Sequence, residues 1–392
     1  MITLRGRSIE FNSAAKALGP VTIRISREPQ RPRAMAAREA FLISSDHIPL
    51  GFKYYLAPSD WEGVLPTAAP SALLAAEFDY LDDGDVIALE PGAGVIRTLF
   101  RKKVAYNSFL LTERCNNYCL MCSQPPRDVS DGWIAEEILA ALPLIDRAAA
   151  EICFSGGEPT LLGPKFLELV RSAKSYLPNT ALHILSNGRS FAQESMARDL
   201  ANIQHPDMML GIPIYADLAH VHDYIVQSDG AFDETIRGIL NLKRHGVRVE
   251  IRVVLEQPTI PRLTALAHFL ARNLLFVDHV ALMGLEITGF TRANLEQLWI
   301  DPVDYQKELL QSVGILDRSG MRVSIYNSQL CVLDPSLHRF ARRSISDWKQ
   351  EYMPECHGCT LQAQCGGFFS SARLRYSRAI RAVEPHPENA PL

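Results

Sequence analysis

Eight cysteines are the residues of this sequence best suited to do chemistry, and they are unevenly placed. Cys115, Cys119 and Cys122 form one C-x3-C-x2-C run, Cys356, Cys359 and Cys365 form a second group, and 24 residues separate Cys331 from that group. The N-terminal MITLRGRSIEFNS has no apolar core of a secretory signal, so metal or redox chemistry is the expected use of clustered thiols rather than disulfides. Three thiolates on one loop can hold three irons of a cubane cluster and leave a fourth iron open to a substrate or cosubstrate. A zinc site built on the same run would call for a histidine, and none lies within 30 residues of it. The four cysteines of the second set can ligate one centre completely, and either an iron–sulfur cluster or zinc accepts them. Cys153, flanked by Ile152 and Phe154, reads as a small buried hydrophobe.

The elements that must position these residues change in texture along the chain. Residues 1–104 read as a β-rich domain, with VTIRIS (21–26), a hairpin in DDGDVIALEPGAGVIRTLF, and a polar loop into a short helix at 26–40. From residue 105 to about 300, apolar strand candidates alternate with amphipathic helical segments. The strands are 106–112, 151–155, 181–187, 208–214, 247–255 and 279–285, and the helices fall near 134–147, 164–176, 190–202, 231–245 and 261–276. Six such strands predict a parallel α/β sheet with both faces buried, either an open, partial barrel or a doubly wound sheet. Residues 301–392 contain a helix ending before Gly320, a strand at 321–327, a helical or loop segment HRFARRSISDWKQEY, the second cysteine set and a Pro-rich, disordered tail.

In such sheets the active site lies beyond the carboxyl ends of the strands, and the first cysteine run directly follows the first strand of the α/β region. Ser155-Gly156-Gly157-Glu158-Pro159 follows the second strand, where glycines would let the backbone approach a ligand and a carboxylate would pair with an ammonium group. Leu185-Ser186-Asn187-Gly188 ends the third strand, and Arg252 and Met283 lie on the fifth and sixth. His220, His222 and Asp223 follow the fourth, either as substrate contacts or as an ordinary polar loop.

CNNYCLMC and GGEP together resemble the signature of the radical S-adenosylmethionine (SAM) superfamily, with Met121 at a position where that family usually carries an aromatic residue. The resemblance implies an α/β fold, a partial (β/α)6 TIM-like barrel, with a β-rich N-terminal domain and a small C-terminal Cys-rich iron–sulfur region. It implies a [4Fe–4S] cluster on Cys115, Cys119 and Cys122 whose open iron chelates SAM. Met121, Gly156, Gly157, Glu158, Pro159, Ser186, Asn187, Arg252 and Met283 are then the candidate SAM contacts. Cys331, Cys356, Cys359 and Cys365 resemble the auxiliary-cluster region of the SPASM and twitch subfamilies, which implies one auxiliary [4Fe–4S] cluster while zinc stays open. The longer text from YNSFLLTERCNNYCLMCSQPP to CHGCTLQAQCGGFF is similar to C-type radical SAM maturases of the His-Xaa-Ser system. That similarity implies a peptide or small-protein substrate, an electron donor such as flavodoxin or ferredoxin, and a role for a second maturase.

Composition narrows the alternatives. With 40 Lys+Arg against 44 Asp+Glu, a net charge of −4 offers no global attraction to nucleic acid or acidic membranes. No apolar run reaches the ~20 residues that span a bilayer. The expectation is a cytoplasmic enzyme, set against an RNA- or metabolite-directed radical SAM enzyme and a non-catalytic metal-bound peptide scaffold.

Overall fold

Short runs rich in Val, Ile, Tyr and Phe before residue 105 favour extended backbone, and they pair into one sheet. The computed structural model of the chain describes residues 4–6, 10–343 and 351–384. The strands are β1 (Arg5–Gly6), β2 (Glu10–Phe11), β3 (Val21–Ser26), β4 (Glu39–Leu42), β5 (Tyr54–Ala57), β6 (Ser71–Leu73), β7 (Val86–Glu90) and β8 (Val95–Phe100). Their order is β1-β8-β7-β3-β4-β5-β6-β2. β1 and β2, almost adjacent in sequence, therefore sit at opposite ends: Gly6 opposes Ile96, and Phe11 opposes Ala72. Ile23, Ile25, Tyr54, Leu56, Phe78 and Ile96 share one buried core. Two short helices accompany the sheet: α1 (Ser13–Leu18), whose Ala15 N–H donates to the Asn12 side chain at 2.8 Å, and α2 (Arg33–Ala36).

The second sheet has seven parallel strands in the order β15-β14-β13-β12-β11-β10-β9. They are β9 (Tyr106–Leu110), β10 (Glu151–Ser155), β11 (Ala181–Leu185), β12 (Met208–Pro213), β13 (Arg248–Leu255), β14 (His279–Gly284) and β15 (Val323–Tyr326). The crossovers carry α3 (Gly132–Ala141), α4 (Pro164–Tyr176), α5 (Glu194–Ala201), α6 (Ala219–Val226), α7 (Ala231–Arg244), α8 (Leu263–Asn273), α9 (Phe290–Ala293), α10 (Leu295–Leu298) and α11 (Gln306–Arg318). β9 and β15 do not pair, so the barrel is open along one side. Six strands were expected in this sheet. The seventh, read from sequence as part of the C-terminal region, is reached only through the long α9–α11 crossover.

The strands are not apolar on both faces. Phe154, Ile184, Leu210, Ile251 and Leu282 point outward and are buried under the helices in a single core. The alternate positions, among them Glu151, His183, Glu250, Arg252 and His279, line a cavity inside the barrel. This period-2 division replaces the expected continuous apolar burial, because alternate side chains face the cavity and not the helices.

The N-terminal sheet is fastened to the barrel by Arg97. Its guanidinium pairs with Glu137 of α3 at 2.7 Å and Glu90 at 3.1 Å, and lies 5.0 Å over the Trp133 ring. Beyond β15, Val332, Met353, Cys356, Phe368 and Ile380 form a small core of their own. Arg378 ties this region back to Asp301 at 2.9 Å, and Arg375 pairs with Glu296 at 2.8 Å while covering Trp299. HRFARRSISDWKQEY begins within a 3-10 turn at Pro335–Phe340; residues 344–350 and the tail from 385 on lie outside the described residues. Among the described residues no helix is long and apolar enough to cross a membrane.

Candidate active site

The loop after β9 is pinned at its root by Asp131, just before α3. Its carboxylate accepts from Thr112 Oγ1 at 2.7 Å, Glu113 N at 2.6 Å and Arg114 Nε at 3.1 Å. Cys115, Cys119 and Cys122 follow, and all three line the barrel cavity of about 1130 Å³. Burial raises the Cys115 thiol to about 11 and pushes Cys119 and Cys122 up as well. Metal ligation requires the thiolate, so a metal bound at this loop would displace protons that burial otherwise retains.

Gly156 and Gly157 reach the same cavity. Their lack of a side chain serves the cysteine loop directly. A Cβ on Gly157 would stand 2.0 Å from the Arg114 carbonyl oxygen, and one on Gly156, at φ +136°, would stand 2.5 Å from the Thr112 oxygen. Glu158 and Pro159 are buried and are not among the residues lining the cavity. The Glu158 carboxylate accepts from Thr160 N at 3.0 Å, Ser186 Oγ at 2.9 Å and Asn187 N at 2.6 Å, binding the β10 turn to the β11 turn. Burial raises its carboxyl above the usual range, against these hydrogen bonds.

Ser186, Asn187, Arg252, Met283 and Met121 all line the cavity. Met121 also packs with Tyr215 and Leu298 beneath the cysteine loop. Arg252 donates to Glu250 Oε1 at 2.8 Å and lies 3.1 Å from Met283 Sδ. Glu250 Oε2 meets His279 Nδ1 at 2.6 Å, and His279 Nε2 meets Ser324 Oγ at 2.9 Å. Burial alone would raise the Glu250 carboxyl, but the His279 hydrogen bond and the Arg252 charge outweigh it and hold it at about 2. His183 stands 3.7 Å from Glu250, and burial lowers its imidazole to about 4.

Sequence reasoning missed this polar band. Its signal was the alternation of Glu250 and Arg252 in VEIRVVL and of Glu151, Cys153 and Ser155 in EICFS with apolar residues, which argues for one polar face. Cys153 belongs to the same face: it lines the cavity instead of packing in the apolar core, and burial raises its thiol to about 11. His220, His222 and Asp223 lie on α6 and are not among the cavity-lining residues. His220 is exposed, while His222 is buried, stacks on Tyr215 at 5.7 Å and accepts from Tyr215 N at 3.2 Å. Asp223 caps the next helix through Gly230 N and Phe232 N at 2.7 and 2.8 Å. Glu256, just after β13, is fully buried, and neither carboxylate oxygen has a hydrogen-bond partner. Desolvation pushes its carboxyl up to about 8.

The second cysteine set also converges. Cys331, Cys356, Cys359 and Cys365 line one small pocket with Tyr352 and Gln362. Cys359 Sγ accepts from Val383 N at 3.3 Å. Among the described residues no three or more His, Cys, Asp or Glu side chains are grouped as a single metal ion would require. A multi-iron cluster takes one thiolate per iron and so spreads its ligands. The donor chemistry at Cys115, Cys119 and Cys122 fits such a cluster: three thiols on one loop, facing a cavity that also presents glycine backbone, amide, hydroxyl and guanidinium groups.

This arrangement of a cysteine loop after the first strand of an open parallel barrel has a family match. Residues 109–265 match the model of the radical SAM superfamily. Among solved structures, the chain is similar to SuiB of Streptococcus suis bound to S-adenosylmethionine, at 16% identity over 57% of this chain and 50% of that one, with a TM-score of 0.45. It is also similar to anSMEcpe with bound AdoMet, at 19% identity over 56% of this chain and 62% of that one, with a TM-score of 0.44. A radical SAM methyltransferase from Sphaerobacter thermophilus matches at 16% identity over 62% of this chain and 72% of that one, with a TM-score of 0.43. The chain thus spans about half the length of SuiB. No curated protein matches the chain.

Proposed function

We propose that the chain is a radical SAM peptide maturase, acting on a ribosomally made peptide or small protein of the His-Xaa-Ser type. The observation that carries the reading is the placement of Cys115, Cys119 and Cys122 on the wall of the cavity that Gly156, Gly157, Ser186 and Arg252 also line. A cluster held by Cys115, Cys119 and Cys122 would, with SAM, supply reductive one-electron cleavage and hydrogen-atom abstraction chemistry.

The chain's own part is to bind and to position. Cys115, Cys119 and Cys122 would hold the cluster, and backbone at Gly156 and Gly157, with Ser186 and Asn187, would hold the polar end of SAM. Arg252 would face its carboxylate, since a guanidinium matches that geometry. Glu158 acts one step away, by fixing the Ser186–Asn187 turn. Apolar helices cover the outer face of the sheet, so access to the lumen is confined to its mouths and the gap between β9 and β15. At about 1130 Å³ the cavity exceeds the ~300–1,000 Å³ of ordinary small-molecule sites, which favours a cofactor and a substrate side chain together. Cys331, Cys356, Cys359 and Cys365 would hold an auxiliary cluster in an electron-transfer or structural role. A flavodoxin or ferredoxin would deliver the electron in the cytoplasm, and a second maturase would act beside this one.

Anaerobic reconstitution followed by iron and sulfide analysis tests the cofactors. Reduced protein should cleave SAM to 5′-deoxyadenosine, and replacing Cys115, Cys119 and Cys122 by Ala should abolish that cleavage. Replacing Cys356, Cys359 and Cys365 should remove the second centre and leave iron on the first. Absence of SAM cleavage by reduced, iron-loaded protein, with the candidate peptide present, sinks the enzyme reading. Mass spectrometry of a peptide co-expressed from beside the gene tests the substrate, and an unchanged mass counts against that peptide.

A further inference from the structure

Resting on the reading of residues 115–122 as a cluster loop, we propose that Arg189 is a positioning residue that holds this loop in its ligating shape before any cluster is bound. Asn294 secures the opposite side. Arg189 follows Gly188, whose φ of +80° turns the chain sharply after β11. Its side chain is only 12% exposed. Nε donates to Glu234 of α7 at 2.6 Å. Nη1 lies 2.7 Å from the Asn116 carbonyl oxygen, 2.6 Å from Asn117 Oδ1 and 2.8 Å from Ser228 Oγ. Beside it, Asn187 Nδ2 donates to Asn116 Oδ1 at 2.6 Å. One guanidinium therefore joins the β11 turn, α7 and the first two residues after Cys115.

The far end of the loop is held from the segment after β14. Asn294 Nδ2 donates to the Leu120 carbonyl at 2.8 Å, Thr291 Oγ1 to that of Met121 at 3.1 Å, and Phe290 N to that of Cys122 at 2.9 Å. The middle rests on the last turn of α6, where Tyr118 N and Leu120 N donate to Val226 O and Ile225 O at 3.0 and 2.9 Å. Every residue from Asn116 to Cys122 except Cys119 is thus bonded to an element outside the loop. None of these bonds involves a metal or a cysteine sulfur. Fixing a ligand loop in advance removes the ordering cost from cluster binding. Lysine cannot reproduce the arrangement, because its ammonium is a point donor that cannot reach Glu234 and the Asn116 carbonyl in one fork.

The test uses full-length protein carrying Arg189→Met, Arg189→Lys or Asn294→Ala, purified without iron. Hydrogen exchange is read at the Tyr118 and Leu120 amides, and iron per chain is read during anaerobic loading with ferrous iron and sulfide. In Arg189→Met those amides should exchange about tenfold faster or more, as expected for loss of local anchoring, while β13 amides keep their protection. Iron uptake should fall below about half of the wild-type level, with Arg189→Lys in between and Asn294→Ala loosening Leu120. Unchanged exchange at Tyr118 and Leu120 in Arg189→Met overturns the proposal. Should that variant not fold, unchanged exchange and iron uptake in Arg189→Lys overturn it instead. If wild-type protein takes up no iron, the cluster reading fails, while the exchange measurement still decides the role of Arg189.

Discussion

Gly157→Ala is the smallest change that should disable the site, and its cost can be worked from the structure. The added Cβ would stand 2.0 Å from the Arg114 carbonyl oxygen and 2.5 Å from its carbon, where real Cβ contacts stay beyond 3.0 Å. Relief therefore requires the β10 turn and the root of the cysteine loop to separate by about 1 Å, a shift that overpacking strain of roughly 1–3 kcal/mol typically accompanies. Two backbone hydrogen bonds span that contact, Glu158 N to Arg114 O at 2.7 Å and Gly157 N to Thr112 O at 2.8 Å. Each contributes about 0.5–1.5 kcal/mol net, so the total is about 2–6 kcal/mol. With an unfolding entropy of about 2.1 cal/mol/K per residue, cooperative melting of the whole chain would fall by roughly 2–7 °C. Thermal melting by circular dichroism measures this, with Gly92→Ala as the control, since nothing lies within 4 Å of a Cβ there. The functional loss should be larger than the stability loss, because a 1 Å displacement of positioned groups costs on the order of 100-fold in rate. A Gly157→Ala protein with wild-type melting, iron content and SAM cleavage would refute the reasoning.

Two further outcomes are expected. Glu256 has a folded-state carboxyl at about 8 against 4.5 unfolded, so the folded protein holds a proton that the unfolded chain has lost between those values. Stability should therefore fall as pH rises from about 4.5 to 8, at up to about 1.4 kcal/mol per unit, and be fully retained below that window. Glu256→Gln should flatten this slope and raise the melting temperature at pH 8–9 relative to wild type; an unchanged slope in urea titrations at several pH values rejects the assignment. Arg97→Ala should remove partly buried charged hydrogen bonds to Glu137 and the contact with Trp133, a loss of about 1.5–3 kcal/mol. Limited proteolysis should then cut faster between the N-terminal sheet and the barrel, and equal cutting rates would show that Arg97 does not fasten the two.

Much of the barrel was legible because its strands are punctuated by Gly, Asn and Pro and separated by helices with clear apolar stripes. β9 to β14 fall within the six expected runs, and the cysteine loop and the Gly-Gly turn sit at strand ends as parallel topology demands. What escaped notice was what side-chain direction alone decides. Glu158 looks in sequence like a ligand group beside a glycine turn, yet its carboxylate turns inward to Ser186 and Asn187. Cys153 looks like core between Ile152 and Phe154, yet the strand's alternation puts it in the lumen. Arg189 carries no motif at all, and its partners, at Asn116, Ser228 and Glu234, become neighbours only after three crossovers are complete. β1 and β2 are two residues each, too short for any periodicity to register.

The placement of those two strands constrains the order of assembly. Arg5 and Gly6 leave the ribosome some ninety residues before Ile96 and Arg97, the residues they pair with, and Phe11 must likewise wait for Ala72. A segment made early is thus fixed late: β2 has no partner until β6 is made, and β1 none until β8. Contacts of such long sequence separation close slowly. Because β1 and β2 are its two edge strands, the N-terminal sheet is complete only when this one stretch is stitched into both of its edges.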